Sequence, residues 1–164
     1  MTYSRRRFLK SLLALPAAGL ALHSWRAFAA SQEAKSCLVV GSGDGASLID
    51  LDAHTIKHVD LGFSPHSFLP HPSIPGRFFG IEKWGWNAAE VDFDKGAARP
   101  FTSGDGYQFY GHGVYLEEHK AIFIARVDTK TGLGHLVGYD PATHEVVRDF
   151  QVAPGGLHDC HRLD

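Results

Sequence analysis

Cysteine and methionine are nearly absent from this 164-residue chain, which has two of the former and one of the latter. Two thiols cannot build a disulfide framework. Cys37 and Cys160 each sit in a strand-like run and read as buried or half-buried thiols, with a bridge as the alternative. No helical hydrophobic period runs through residues 30–164, and no stretch of them is apolar enough to cross a bilayer. A complete catalytic motif is also missing. Gly41-Ser42-Gly43-Asp44-Gly45 leads into a strand pattern where a phosphate loop needs a helix N-terminus, so it reads as a turn. His54 and His58 have metalloprotease spacing, but Thr55 stands where glutamate is required. On a strand that pair would lie about 13 Å apart, too far to share one metal.

What is present begins with a leader. Ser4-Arg5-Arg6-Arg7-Phe8-Leu9-Lys10 is basic, residues 12–22 form a short apolar run, and Ala27-Phe28-Ala29 supplies a small-x-small cleavage pattern ending at Ala29. The Arg6-Arg7 pair before Phe8-Leu9 resembles the twin-arginine export motif, which implies delivery of a folded protein to the periplasm. An ordinary secretory leader is the alternative. Residues 1–29 hold five of the 16 basic residues and none of the 18 acidic ones, so the remainder carries a net charge of −7. An acidic surface disfavours nucleic acid and anionic membranes as partners.

Residues 30–164 alternate short β-branched and aromatic runs with Gly, Pro, Asp and Ser turns, which reads as all-β. They also repeat. The triplets Pro65-His66-Ser67, Gly111-His112-Gly113 and Leu157-His158-Asp159 place their histidines at intervals of 46 residues. Upstream of each, an apolar run ends in Asp50, Asp92 or Asp140, followed by a turn and a second strand. The units fall near 45–82, 88–127 and 135–164, with 37–41 as the last strand of a preceding unit. Four short strands in such a period are the signature of a propeller blade. The expected fold is a β-propeller-like open arc of about three four-stranded blades, with a β-sandwich as competitor. Propellers close with about four to eight blades, so either truncation or completion by other copies is expected.

The third unit, with Leu136-Val137-Gly138-Tyr139-Asp140-Pro141-Ala142-Thr143, resembles a YVTN-type blade, where an apolar strand ends in Tyr/Val-Asp before a turn containing Thr. Pro65-His66-Ser67 and Leu157-His158-Asp159 are similar to the Pro-His step of those proteins. Together with the leader, the whole chain resembles the N-terminal part of domain-of-unknown-function family 1513. That resemblance implies a periplasmic propeller-like protein whose partner is an imelysin-like iron-uptake protein. It supplies no catalytic residues.

Blade topology places two sets of loops around one mouth of a central channel. One set contains Asp44, Trp84, Trp86 and Asp128, and the other ends at His66, His112 and His158. Ring-placed imidazoles suit iron, copper or zinc, and ten of the eleven histidines lie outside the leader. The competing reading makes them hydrogen-bond donors to a neighbouring blade. Trp84 and Trp86 could stack a flat ligand or quinone, although packing into the inter-blade seam is the expected role. Two functions follow as expectations: a non-enzymatic binding or accessory protein linked to metal acquisition, or a metal- or quinone-dependent oxidoreductase.

Overall fold

Three aspartates, each closing a strand, set the local architecture. Asp50 Oδ1 accepts the backbone N–H groups of Asp52 (3.1 Å) and Ala53 (2.8 Å). Asp92 does the same for Asp94 and Lys95, and Asp140 for Ala142 and Thr143. Each carboxylate thus satisfies the donors of a tight turn two and three residues on. Those N–H groups, Lys95 foremost at Asp92 and Thr143 at Asp140, hold both carboxyls below their ordinary value. The residue four past each aspartate is left-handed: His54 (φ 54°), Gly96 (61°) and His144 (63°). The sequence repeat is therefore a conformational repeat.

The computed structural model describes residues 36–155, 157 and 160. The leader residues Arg6 and Arg7, the cleavage position Ala29 and the third histidine, His158, lie outside them. The described residues form an all-β structure of antiparallel strands. A first sheet contains β1 (Cys37–Ser42), β2 (Gly45–Asp50) and β3 (Thr55–Asp60). A second is the meander of β4 (Pro65–Pro70), β5 (Arg77–Gly85), β6 (Asn87–Asp92) and β7 (Ala97–Thr102). The third comprises β8 (Tyr107–Leu116), β9 (Ala121–Asp128), β10 (Leu133–Tyr139) and β11 (Val146–Pro154). The far end of β5 joins β8 through Lys83–Tyr110 and Gly85–Phe109, so the second and third sheets are the two parts of one hydrogen-bonded eight-stranded sheet.

These ladders group the strands in a different phase from the units 45–82, 88–127 and 135–164 with 37–41 before them. β1 pairs with β2, and neither β3 with β4 nor β7 with β8 shares a ladder. Each break falls just before a histidine strand, so His66 and His112 lie on the first strands of the second and third sheets. A period fixes spacing but not phase, because every hairpin of an antiparallel meander looks alike locally.

Apolar faces stack the sheets in series. Ala46, Val59, Val91 and Phe93 are buried between the first and second. Between the second and third lie Phe79, Ile81 and Ala88 against Phe109, Ile122, Ile124, Val137 and Tyr139. A buried guanidinium braces the third sheet. Arg126, 6 % exposed, donates to the Ser103 carbonyl and to Asp149 (2.7 Å) and lies 3.8 Å from the Tyr107 ring centroid. Exposed apolar side chains gather on the two flanking strands, Leu38 and Val40 on β1 and Val146, Val147, Phe150 and Val152 on β11.

Phe79 is fully buried and meets Phe101 and two imidazoles. Phe79→Ala is expected to cost about 3–5 kcal/mol of stability, from lost transfer energy plus an unfilled cavity. Urea denaturation of the full chain measures it.

Candidate functional site

His66 and His112 reach the same place because both strands are bulged there. The β4–β5 ladder shifts between Pro65 and Ser67, leaving His66 as the extra residue. The β8–β9 ladder shifts between Phe109 and Gly113, the stretch that contains His112. A bulge breaks the alternation of a strand and re-aims its side chains. Glycine makes the approach possible: Gly111 has φ 88°, and a Cβ there would stand 2.8 Å from His66 Cδ2 and 2.8 Å from Lys83 Cβ.

The outcome is a close imidazole pair. His66 Nε2 lies 3.2 Å from His112 Nε2, with ring centroids 4.9 Å apart and planes at 87°. His66 is exposed and His112 half-buried. At that separation at least one Nε2 must be unprotonated, since two N–H groups cannot face each other. One chemistry available is a single N–H···N hydrogen bond across the sheets. The other is joint coordination, because two nitrogens on a tetrahedral ion at about 2.0–2.1 Å would stand about 3.3 Å apart. Among the described residues no group of three or more His, Cys, Asp or Glu side chains is arranged to hold a metal, so the pair supplies two donors.

The four loop residues distribute differently. Asp44 lies in the β1–β2 turn, Trp86 between β5 and β6, and Asp128 at the start of the β9–β10 turn. These are hairpins within sheets, whereas the connections that lead to the histidines run between sheets, so the two loop sets exchange the roles expected of them. They still meet at one end of the sheets. Leu61 N–H donates to the Asp44 carbonyl (2.9 Å), Ser103 N–H to that of Trp86 (3.0 Å), and Thr129 N–H to that of Gly106 (2.9 Å). Asp128 is occupied with its turn. Its Oδ1 accepts the Lys130 and Thr131 N–H groups, led by Thr131 in holding the carboxyl low.

The tryptophans do not fill the seam. Trp84 and Trp86 are 56 % and 53 % exposed. Trp84 is the inserted residue where the β5–β8 ladder shifts between Lys83 and Gly85. It is left-handed at φ 61° and packs on Tyr110 at 4.3 Å between ring centroids. The bulge turns it outward, which the neighbouring glycine alone does not reveal. Cys37 is exposed, against the expectation of a buried or half-buried thiol, and Cys160 is half-buried.

Repeat spacing also misses a second, buried polar group of His71, Glu90 and His144, tied to Arg77 and Arg99. Its members come from a loop, a strand and a turn at unrelated intervals. The one signal was His144, a bulky residue at the left-handed turn position where the second unit has Gly96.

A methyl group at position 111 should force the imidazoles apart. Gly111→Ala is expected to cost about 1–3 kcal/mol in strain and to remove the His66–His112 contact, read from the imidazole proton resonances of the full chain. Set against known protein families and curated proteins, the chain matches no family model and no curated sequence.

Proposed function

We propose that this chain is an exported, periplasmic β-propeller-like binding protein, with His66 and His112 as two imidazole donors for a divalent transition metal. The observation that carries this reading is the 3.2 Å approach of two Nε2 atoms from corresponding strands of neighbouring sheets. Neutral imidazole is a borderline donor suited to copper, zinc and iron. The four-stranded meanders and the repeated aspartate turns support the blade reading, and the apolar β1 and β11 faces support an open arc. Resemblance to family 1513 and the twin-arginine leader point to an accessory role in iron or other metal acquisition, with a periplasmic iron-uptake protein as partner.

A second reading, a metal- or quinone-dependent periplasmic oxidoreductase, draws on the exposed indoles of Trp84 and Trp86. Metal analysis and an absorption spectrum of the full chain purified from periplasm separate the two. A stoichiometric chromophore favours the enzyme, and a colourless protein that takes up metal favours the binding role.

Calorimetric titration of the full chain with copper(II) or zinc(II) is expected to give one site. His66→Ala and His112→Ala should each weaken it at least about tenfold, equivalent to about 1.4 kcal/mol. Affinity should fall on acidification, because protons compete for the same nitrogens. Binding that neither substitution alters would exclude the pair as ligands.

A further inference from the structure

At the far end of β4 from His66, the seam between the second and third sheets is closed by buried ionisable groups. The β10–β11 turn of the third sheet, held by Asp140 N–H to Glu145 O (2.9 Å) and His144 N–H to Asp140 O (2.8 Å), inserts the His144 ring into the second sheet. There it meets Phe101 at 4.6 Å and Phe79 at 5.8 Å between ring centroids. The second sheet answers with His71 after β4, Arg77 on β5, Glu90 on β6 and Arg99 on β7. The side chains of His71, Glu90 and His144 are each only 6 % exposed.

Glu90 stands at the centre. Arg77 Nη1 donates to its Oε1 at 2.7 Å, His71 Nε2 lies 3.9 Å from Oε1, and His144 Nε2 lies 3.5 Å from Oε2. Arg77 also reaches Asp92 (3.0 Å), and Arg99 donates to the Ala142 carbonyl. The Pro141 carbonyl faces His71, and the Asp140 carboxylate lies near His144.

Hydrogen bonding fixes the tautomers. His71 Nδ1 accepts the N–H groups of Ser73 and Ile74, both at 3.1 Å. His144 Nδ1 accepts Arg99 Nε–H at 3.3 Å. Each neutral ring therefore keeps its proton on Nε2, towards Glu90. A second proton must go on Nδ1, where it confronts two backbone donors in one ring and a guanidinium in the other. Binding it breaks those bonds and places new charge at a site largely excluded from water.

We propose that this seam is an acid-released latch: protonation of His71 and His144 frees the 140–145 turn of the third sheet from the second sheet. Burial acts in the same direction and is the chief cause pushing both imidazoles below their ordinary value of 6.5. Arg77 and Arg99 add to the depression at His71, and Arg99 and the facing His71 at His144, while Glu90 opposes it at both. The unfolded or opened chain thus binds more protons below 6.5 than the closed seam does. The latch is fully closed above 6.5 and weakens as pH falls through the depressed values. A cavity of about 180 Å³ lies beside this group, lined by Arg77, Glu90 and Arg99. His66 and His112 bridge the same two sheets, so opening would also part that pair. This consequence for a bound metal rests on the metal-binding reading, whereas the latch does not.

The test uses the full chain without added metal. Amide exchange, corrected for intrinsic rates, is compared at about pH 7.5 and about pH 5.0, and the imidazole resonances are titrated. The Ser73, Ile74 and His144 amides are expected to lose at least about tenfold protection at the lower pH, while the β9–β10 ladder keeps its own. The double variant His71→Asn, His144→Asn should abolish that loss. Asparagine Oδ1 can take the place of Nδ1 as acceptor, tolerates the left-handed position and does not titrate. Unchanged protection in the wild type, equal loss in the double variant, or imidazoles titrating at or above 6.5 would overturn the latch. If the double variant does not fold, the wild-type titration still decides. None of these results depends on metal binding, so the latch and the metal site fail separately.

Discussion

The face-to-face packing of the second and third sheets is the constraint on which the rest of the structure depends. Phe79 and Ile81 on one side meet Phe109, Ile122 and Ile124 on the other, all essentially excluded from water. Burying each such side chain contributes about 1.5–3 kcal/mol, but that attraction has no direction. It brings two sheets together without fixing how far one slides along the other. Position comes from polar and backbone geometry at the rim: the short β5–β8 ladder, the glycine at 111, and the turn of the third sheet gripped by Arg99. The core supplies adhesion and the rim supplies registration, so the chemistry sits at the rim.

Much of this was legible from the chain alone. The aspartate-turn repeat became three equivalent turns with the same two N–H groups satisfied, because an acidic side chain at a strand end has few better acceptor roles. The spacing of His66 and His112 became direct contact. Phase was not legible. The strand-turn-strand pattern is the same whichever hairpin is taken as the start, and only the missing ladders after β3 and β7 show where one sheet ends. Exposure of Trp84 was hidden for a different reason. Its left-handed conformation and bulge arise from pairing between distant strands, and nothing adjacent in sequence records them. The His71–Glu90–His144 group escaped because burial of charge is a tertiary property, whereas spacing detects only repeats.

Both ends of β4 depart from regular sheet, in opposite senses. At the His66 end the bulges expose an imidazole and an indole, and the left-handed Trp84 alone costs of order 1–3 kcal/mol. At the His71 end the departure is electrostatic, with a carboxylate and two imidazoles drawn out of water. A buried arrangement of this kind seldom adds stability over apolar packing of equal volume. Neither end is explained by the needs of a fold that has a sufficient apolar core between them.

The two ends are also mechanically joined. Five residues of extended chain separate His66 from His71, about 17 Å at strand rise, and β4 is hydrogen-bonded along that length to β5. A displacement of the whole third sheet along β4 would therefore be felt at both rims. The imidazole pair lies on that interface beside the β5–β8 ladder, its two nitrogens on different sheets and 3.2 Å apart, close to the separation of two donors on one ion. Coupling between the ends therefore needs no conducting chain of side chains. It requires only that two stiff sheets share one interface with a polar contact at each rim.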